Sequence, residues 1–289
     1  MVGQHKRIRL ALRIAYDGER LEGWQRQPGK RTVQGLLEEA LAGSRLESKP
    51  QGASRTDAGV HALAQVAHLD AQVALESLHE LRREIDSALP SDIRLHSLVR
   101  APARFNARWS SRGKVYAYMI AAPSDLEAAK NDEFLQRRTW VLPDPRAFPE
   151  IMNGHPHFDD EAVAIALQSL LGRRDFAGLA TTRDPRMSRK KSTRRLGAGR
   201  VTSMPYAGRA GGRLLCITVA GDAFLKHMVR NLSGLLAEVG YGRIAPHDAA
   251  PIVASRRRHK GPRAPGRGLT LVRVRYPAPT TPVWDDHFE

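Results

Sequence analysis

Lys114-Val115-Tyr116-Ala117-Tyr118-Met119-Ile120 is the stretch that divides this chain. It alternates as a strand does, with successive side chains on opposite faces. Before it lies a full set of strands and helices. Ile8 to Tyr16 alternates in the same way and ends at the turn pair Asp17-Gly18. Thr32 is placed to cap a helix whose apolar positions Val33, Leu36, Leu37, Ala40 and Leu41 share one face. Val66 to Leu69 reads as a strand, and Leu78, Leu81, Ile85 and Leu89 as a helix stopped by Pro90. From Lys114 the series begins again. Ala162, Ile165, Ala166 and Leu170 predict a helix, and Leu214 to Val219 a buried strand containing Cys216. Gly208, Gly211 and Gly212 suit a hairpin turn before that strand. Leu225, Met228, Val229, Leu232, Leu236 and Val239 predict a long amphipathic helix ended by Gly240. A shorter helix over 246–256 and a closing strand from Leu269 to Val274 follow. Strands and helices mix without strict βαβ alternation, so the expected class is α+β, two similar halves with largely antiparallel sheets. The join falls near residues 108–113, giving halves of 1–110 and 111–289 with a basic active-site cleft between them.

Charge narrows the partners. Among 289 residues, 46 are Lys or Arg and 30 are Asp or Glu, a formal net charge of +16. A fold does not require that imbalance, whereas a phosphate polyanion is attracted by it. Two segments concentrate the cations: Arg183 to Arg195, and Ser255 to Arg267, which contains no acid. Both are expected to be exposed loops that touch phosphates, giving affinity and register rather than sequence choice. The residues after Pro277 are expected to be loosely held. One cysteine excludes an internal disulfide and a multi-cysteine zinc site. No run has the length of a membrane span or a signal-peptide core, so a soluble, cytoplasmic protein is expected.

Familiar sites are missing. There is no G-x-x-x-x-G-K-[ST] phosphate loop and no G-x-S-x-G elbow. His155-Pro156-His157 lacks a third ligand at useful spacing, so no metal is expected. The informative polar groups are Arg55, Asp57, Tyr116 and Arg230. Asp57 lies in Arg55-Thr56-Asp57-Ala58-Gly59-Val60-His61, an acidic turn in a very basic chain. On local composition alone a structural turn is the favoured reading, since Asp and Gly favour one. Arg230 borders an apolar helical stripe, where a snorkelling arginine or a structural ion pair is also at home. Tyr116, taken singly, is more often core or surface filler.

Together these residues resemble the bacterial tRNA pseudouridine synthases of the TruA family. Gly23-Trp24-Gln25-Arg26-Gln27 is similar to an early signature, and Arg55 to His61 to the catalytic motif. Phe105-Asn106-Ala107-Arg108, Tyr116-Ala117-Tyr118, Asp175-Phe176, Phe224 to Asn231 and Gly268 to Leu271 follow in the family's order. The resemblance spans nearly the whole chain. It implies that Asp57 is the catalytic aspartate, and that Tyr116 stacks on the target base. It implies too that Arg230 pairs with the aspartate, that Arg55 helps open the stem and hold the flipped nucleotide, and that Leu269 lines the pocket. Three departures stand out. The segment from Gln136 to Asp160 is long, Arg174 replaces a usual histidine, and Asp86 stands where asparagine is common.

The reaction so implied is isomerisation of uridine in RNA at positions 38, 39 and 40 of the tRNA anticodon arm, by a homodimer. The bond from ribose to uracil nitrogen 1 breaks, the ring turns, and a bond forms to carbon 5. No electron is transferred, so no cofactor is expected. A carboxylate suits this chemistry as nucleophile or base. Three alternatives stay open for it: attack on ribose, attack on the ring, or removal of a ribose proton. A nearby guanidinium favours the charged carboxylate, the role expected of Arg230. Two rival functions share part of the pattern, a non-catalytic RNA-binding protein and a nucleoside glycosylase.

Overall fold

The computed structural model describes residues 7–44, 46, 48–74, 77–149, 157–181, 192–255, 257–278 and 281–284. The chain falls into two compact units, residues 1–114 with 271–289, and residues 115–270.

In the first unit β1 (Ile8–Tyr16) leads to α1 (Val33–Gly43), β2 (Gln51–Gly52), β3 (His61–Ala71), α2 (Leu78–Ala88) and β4 (Ile93–Arg100). β1 is central, antiparallel to β3 with Leu10 opposite Leu69 and to β4 with Leu12 opposite Leu98. β2 adds to β3, with Gln51 opposite His68. α1 starts where the sequence predicts, because the Thr32 side chain accepts from the Gly35 amide at 3.3 Å and satisfies one of the first turn's orphan donors. Leu10, Leu12, Ile14, Leu37, Leu41 and Ile85 are fully buried and form the core.

The second unit opens on β5 (Gly113–Ala122), whose first residues precede the unit boundary. It continues through α3 (Leu126–Lys130), α4 (Glu133–Arg138), β6 (Trp140–Val141), α5 (Asp160–Ser169), β7 (Gly172–Asp175), β8 (Thr193–Pro205), β9 (Arg213–Gly221), α6 (Met228–Gly240) and α7 (Ala249–Ala254). The strand order is β5-β9-β8-β7, with β8 antiparallel to both neighbours and β6 parallel to β5. β10 (Leu269–Arg275) closes the series, and its later residues lie beside β3 in the first unit. The mixed α/β class with mostly antiparallel strands agrees with the expectation from sequence.

Four details differ from it. Ile165 is 53% exposed, because α5 buries the stripe Val163, Ala166 and Leu167, one position away. Leu225 lies outside α6. His227 has φ +59°, a left-handed conformation that no α-helix continues through, so the helix begins at Met228. Cys216 is on β9 but only half-buried. Arg194 and Arg195 belong to β8 rather than to a loop. The remainder of that basic segment through residue 191, the 150–156 part of the long middle segment, and His155 all lie outside the described residues. Among the described residues no helix is long and apolar enough to cross a membrane.

Candidate active site

Asp57 sits on the turn that joins β2 to β3. The Val60 amide donates to the Asp57 carbonyl at 3.2 Å, and Gly59 has φ +76°. A positive φ at the third residue is what a type II turn demands, so glycine is needed there. The turn is pinned from both sides. The Trp24 amide donates to the Thr56 carbonyl at 3.1 Å, and the Gly59 amide to the Leu21 carbonyl at 3.2 Å. Gly23, at φ +92°, passes so close that a Cβ would stand 2.5 Å from the Thr56 carbonyl oxygen. The early glycine-tryptophan signature is therefore the support of the acidic turn.

Polar groups beneath the turn fix it further. The buried Thr56 hydroxyl is 2.8 Å from the Tyr16 hydroxyl. Gln65, fully buried on β3, donates through Nε2 to the Ser54 carbonyl at 2.8 Å. Every one of these groups has a partner, so the network is rigid rather than costly. Asp57 itself is half-buried and Arg55 exposed. A carboxylate on a fixed backbone, beside an arginine open to solvent, can be presented to a nucleic acid without reorganising.

The second unit holds the other expected residues. Tyr116, 6% exposed on β5, meets Phe224 edge to face, with ring centroids 5.0 Å apart and planes at 82°. That contact fixes the tyrosine ring in a favoured aromatic geometry. Leu269 is 6% exposed at the start of β10.

Arg230, in the first turn of α6, donates from Nε to the Ala264 carbonyl at 2.7 Å, and the Ala264 amide returns a bond to the Arg230 carbonyl at 3.2 Å. The same helix face continues the clasp. At Gly234 a Cβ would lie 1.7 Å from the Pro262 carbonyl oxygen, so only glycine lets the two segments meet. One turn later Glu238 Oε2 lies 2.5 Å from His259 Nε2. The basic segment after Ser255 is thus a fastened strap as well as a surface. Arg267 donates to the Thr139 carbonyl at 3.0 Å, and the Tyr118 hydroxyl to the Pro265 carbonyl at 2.9 Å. Burial pushes the Tyr118 phenol well above its ordinary value, which keeps it a neutral donor. Arg257, Arg258, Lys260 and Arg263 stay exposed on the strap.

Sequence reasoning missed the supports. Phe224 and His227 fall inside the Phe224 to Asn231 motif, but nothing in it says what they touch, and Thr181, Ala264 and Glu238 carry no signal of their own. His227 Nδ1 lies 2.7 Å from the Thr181 hydroxyl, a pairing of distant residues that periodicity cannot report. Of the departures, Asp86 is structural: its Oδ1 accepts from the Leu95 amide at 2.8 Å. Among the described residues no cluster of three or more His, Cys, Asp or Glu could hold a metal ion.

The family model and the curated relatives agree with one another. The chain matches the family described as tRNA pseudouridine synthase over residues 13–110 and 166–277. It is 36% identical over 295 residues to a tRNA pseudouridine synthase A of Nitratidesulfovibrio vulgaris, covering 93% of this chain and 99% of that one. To the tRNA pseudouridine synthase A of Chloroflexus aurantiacus it is 38% identical, covering 93% and 88%. To that of Geobacillus kaustophilus it is 35% identical, covering 91% and 92%.

Proposed function

This chain belongs to the tRNA pseudouridine synthase family, and from that premise we propose that it acts at positions 38, 39 and 40 of the tRNA anticodon arm, with Asp57 as nucleophile or base. It is an isomerase that converts uridine to pseudouridine in tRNA. The observation that carries the assignment of Asp57 is the turn it occupies, held by Trp24, Leu21 and Gly23 on a backbone that need not move. Preorganisation of that kind lets a carboxylate meet a base already in place for reaction.

The target base must leave its stack, and enzymes acting on a base commonly hold the flipped nucleotide against an aromatic face. Tyr116, steadied by Phe224, supplies that face. Arg55 helps open the stem, Leu269 shapes the apolar surround, and Arg230 keeps the aspartate charged. The Ala264 carbonyl leaves Arg230 its full positive charge, since a carbonyl accepts a hydrogen bond and removes no charge. The exposed cations at 257–263 meet RNA phosphates, and the working form is a homodimer, which sedimentation at micromolar concentration would establish or refute.

The test uses tRNA tritiated at carbon 5 of uridine. Isomerisation releases tritium without free base, and mapping places the product at positions 38 to 40. Free uracil instead would mark a glycosylase, and binding with no release a non-catalytic RNA-binding protein.

A further inference from the structure

Trp109 is 76% exposed, whereas Trp24 and Trp140 are almost completely buried. The Arg108 guanidinium lies over its ring, 4.7 Å from the centroid. The segment around it, 100–114, carries Arg100, Arg104, Arg108, Arg112 and Lys114 and no acid. The first four are exposed.

The display of this tryptophan is built. Asn106 Oδ1 accepts from the amides of Arg108 at 3.0 Å and Trp109 at 2.9 Å. The Ser110 hydroxyl accepts from the Asn106 amide at 3.1 Å. The Ala107 amide is anchored to His68 Nδ1 at 3.1 Å, and the Ala107 carbonyl to the Tyr276 hydroxyl at 2.7 Å. The Arg112 amide donates to the Arg275 carbonyl at 2.7 Å. An ordered turn thus holds a large aromatic surface in water, at the cost of leaving an indole unburied.

We infer that Trp109 is a stacking platform for an unpaired base of the tRNA, with the exposed arginines around it on the flanking phosphates. A surface aromatic beneath an arginine, in a segment with four exposed arginines and no acid, matches the way proteins hold single-stranded nucleic acid, where the base contributes a flat π face and the backbone its charge. The occupant is an unpaired base, because the bases of an A-form stem are already stacked on each other and closed to an indole. The inference rests on tRNA being the substrate.

The experiment follows tRNA binding and indole fluorescence in the full chain. Wild-type fluorescence is quenched on adding tRNA, and Trp109→Phe loses most of that quench while binding within about threefold of wild type. Trp109→Ala weakens binding roughly tenfold, the loss expected for one stacked base, with its melting temperature unchanged. A single-stranded loop oligonucleotide competes, and a blunt duplex of the same composition does not. Equal affinity and equal quench in Trp109→Ala would overturn the platform. So would a change in the sedimentation of RNA-free Trp109→Ala, which would make the patch a protein interface. Tritium release by the wild type is measured alongside. Its failure would undo the tRNA reading, whereas normal release with unaltered binding by Trp109→Ala undoes the platform alone.

Discussion

Gly23 and Thr56 are in backbone contact: at φ +92° the glycine leaves only enough room that a Cβ would come within 2.5 Å of the threonine carbonyl oxygen. The acidic turn and the strand-to-helix segment before it are therefore one unit, and the aspartate's position is set by residues more than thirty places earlier in the chain.

Gly23→Ala tests that dependence. The variant must either twist Gly23 out of its left-handed conformation or displace Thr56. We expect a loss of about 1–3 kcal/mol in stability and a clear drop in turnover. Gly29→Ala is the matched control, since Gly29 also has a positive φ of 66° but nothing within 4 Å of a Cβ. It should lose stability with little change in turnover. Urea unfolding and tritium release on both variants check the pair.

Thr56→Val removes the 2.8 Å partner of the buried Tyr16 hydroxyl and leaves it the longer bond from Gln65 Nε2 at 3.4 Å. Losing a buried hydrogen bond of this kind costs about 1 kcal/mol. Tyr16→Phe with Thr56→Val removes both partners and should recover part of the loss. A double-mutant cycle in urea reads the coupling, and strict additivity would mean the hydroxyl pair contributes nothing.

Much of this architecture was legible in the sequence. Alternation placed β1, β5 and β10, and Thr32 and Pro90 marked helix ends through local chemistry. The five expected site residues sat in motifs long enough to read. The supports were not legible, for a physical reason. Gly23 against Thr56, Arg230 against Ala264 and Glu238 against His259 are contacts between residues distant in sequence, and no local pattern encodes them. His227 shows the same limit, since helical periodicity ran through it to Leu225 while the backbone turned left-handed. Trp284, in the tail expected to be loose, in fact lies under the Arg13 guanidinium, 4.3 Å from ring centroid to carbon.

Glu238→Ala should loosen the strap that bonds Arg230. Glu238 and His259 are only 12% and 15% exposed, so the orphaned histidine loses a partner worth about 1–3 kcal/mol. The expected result is a lower melting temperature and faster proteolysis within the basic segment, with turnover reduced. Glu238→Gln, which can still bond His259, should retain most of both. Equal behaviour of the two variants would remove the pair from the account.

Acid should destabilise the protein in two stages. Burial, then the nearby Arg9 cation, push the His68 imidazole below its ordinary 6.5. It is folded as a neutral acceptor for the Ala107 amide. A lowered folded value means the unfolded chain takes up the proton first. Its contribution is therefore fully present above 6.5 and is lost as pH falls through the folded value. Asp70, held down chiefly by its hydrogen bond from Arg9, and Asp92, by that from Arg31, add a second stage below their ordinary 3.8. Urea midpoints against pH should fall in the first window for wild type and fall less for His68→Gln.

The most direct test of the central claim is tritium release from carbon-5-labelled tRNA by Asp57→Asn. The substitution keeps the size of the side chain and removes its charge. The account predicts that this variant folds and binds tRNA as the wild type does but releases no tritium above background. Turnover within a few fold of wild type would contradict it, because the reaction would then need no carboxylate at residue 57.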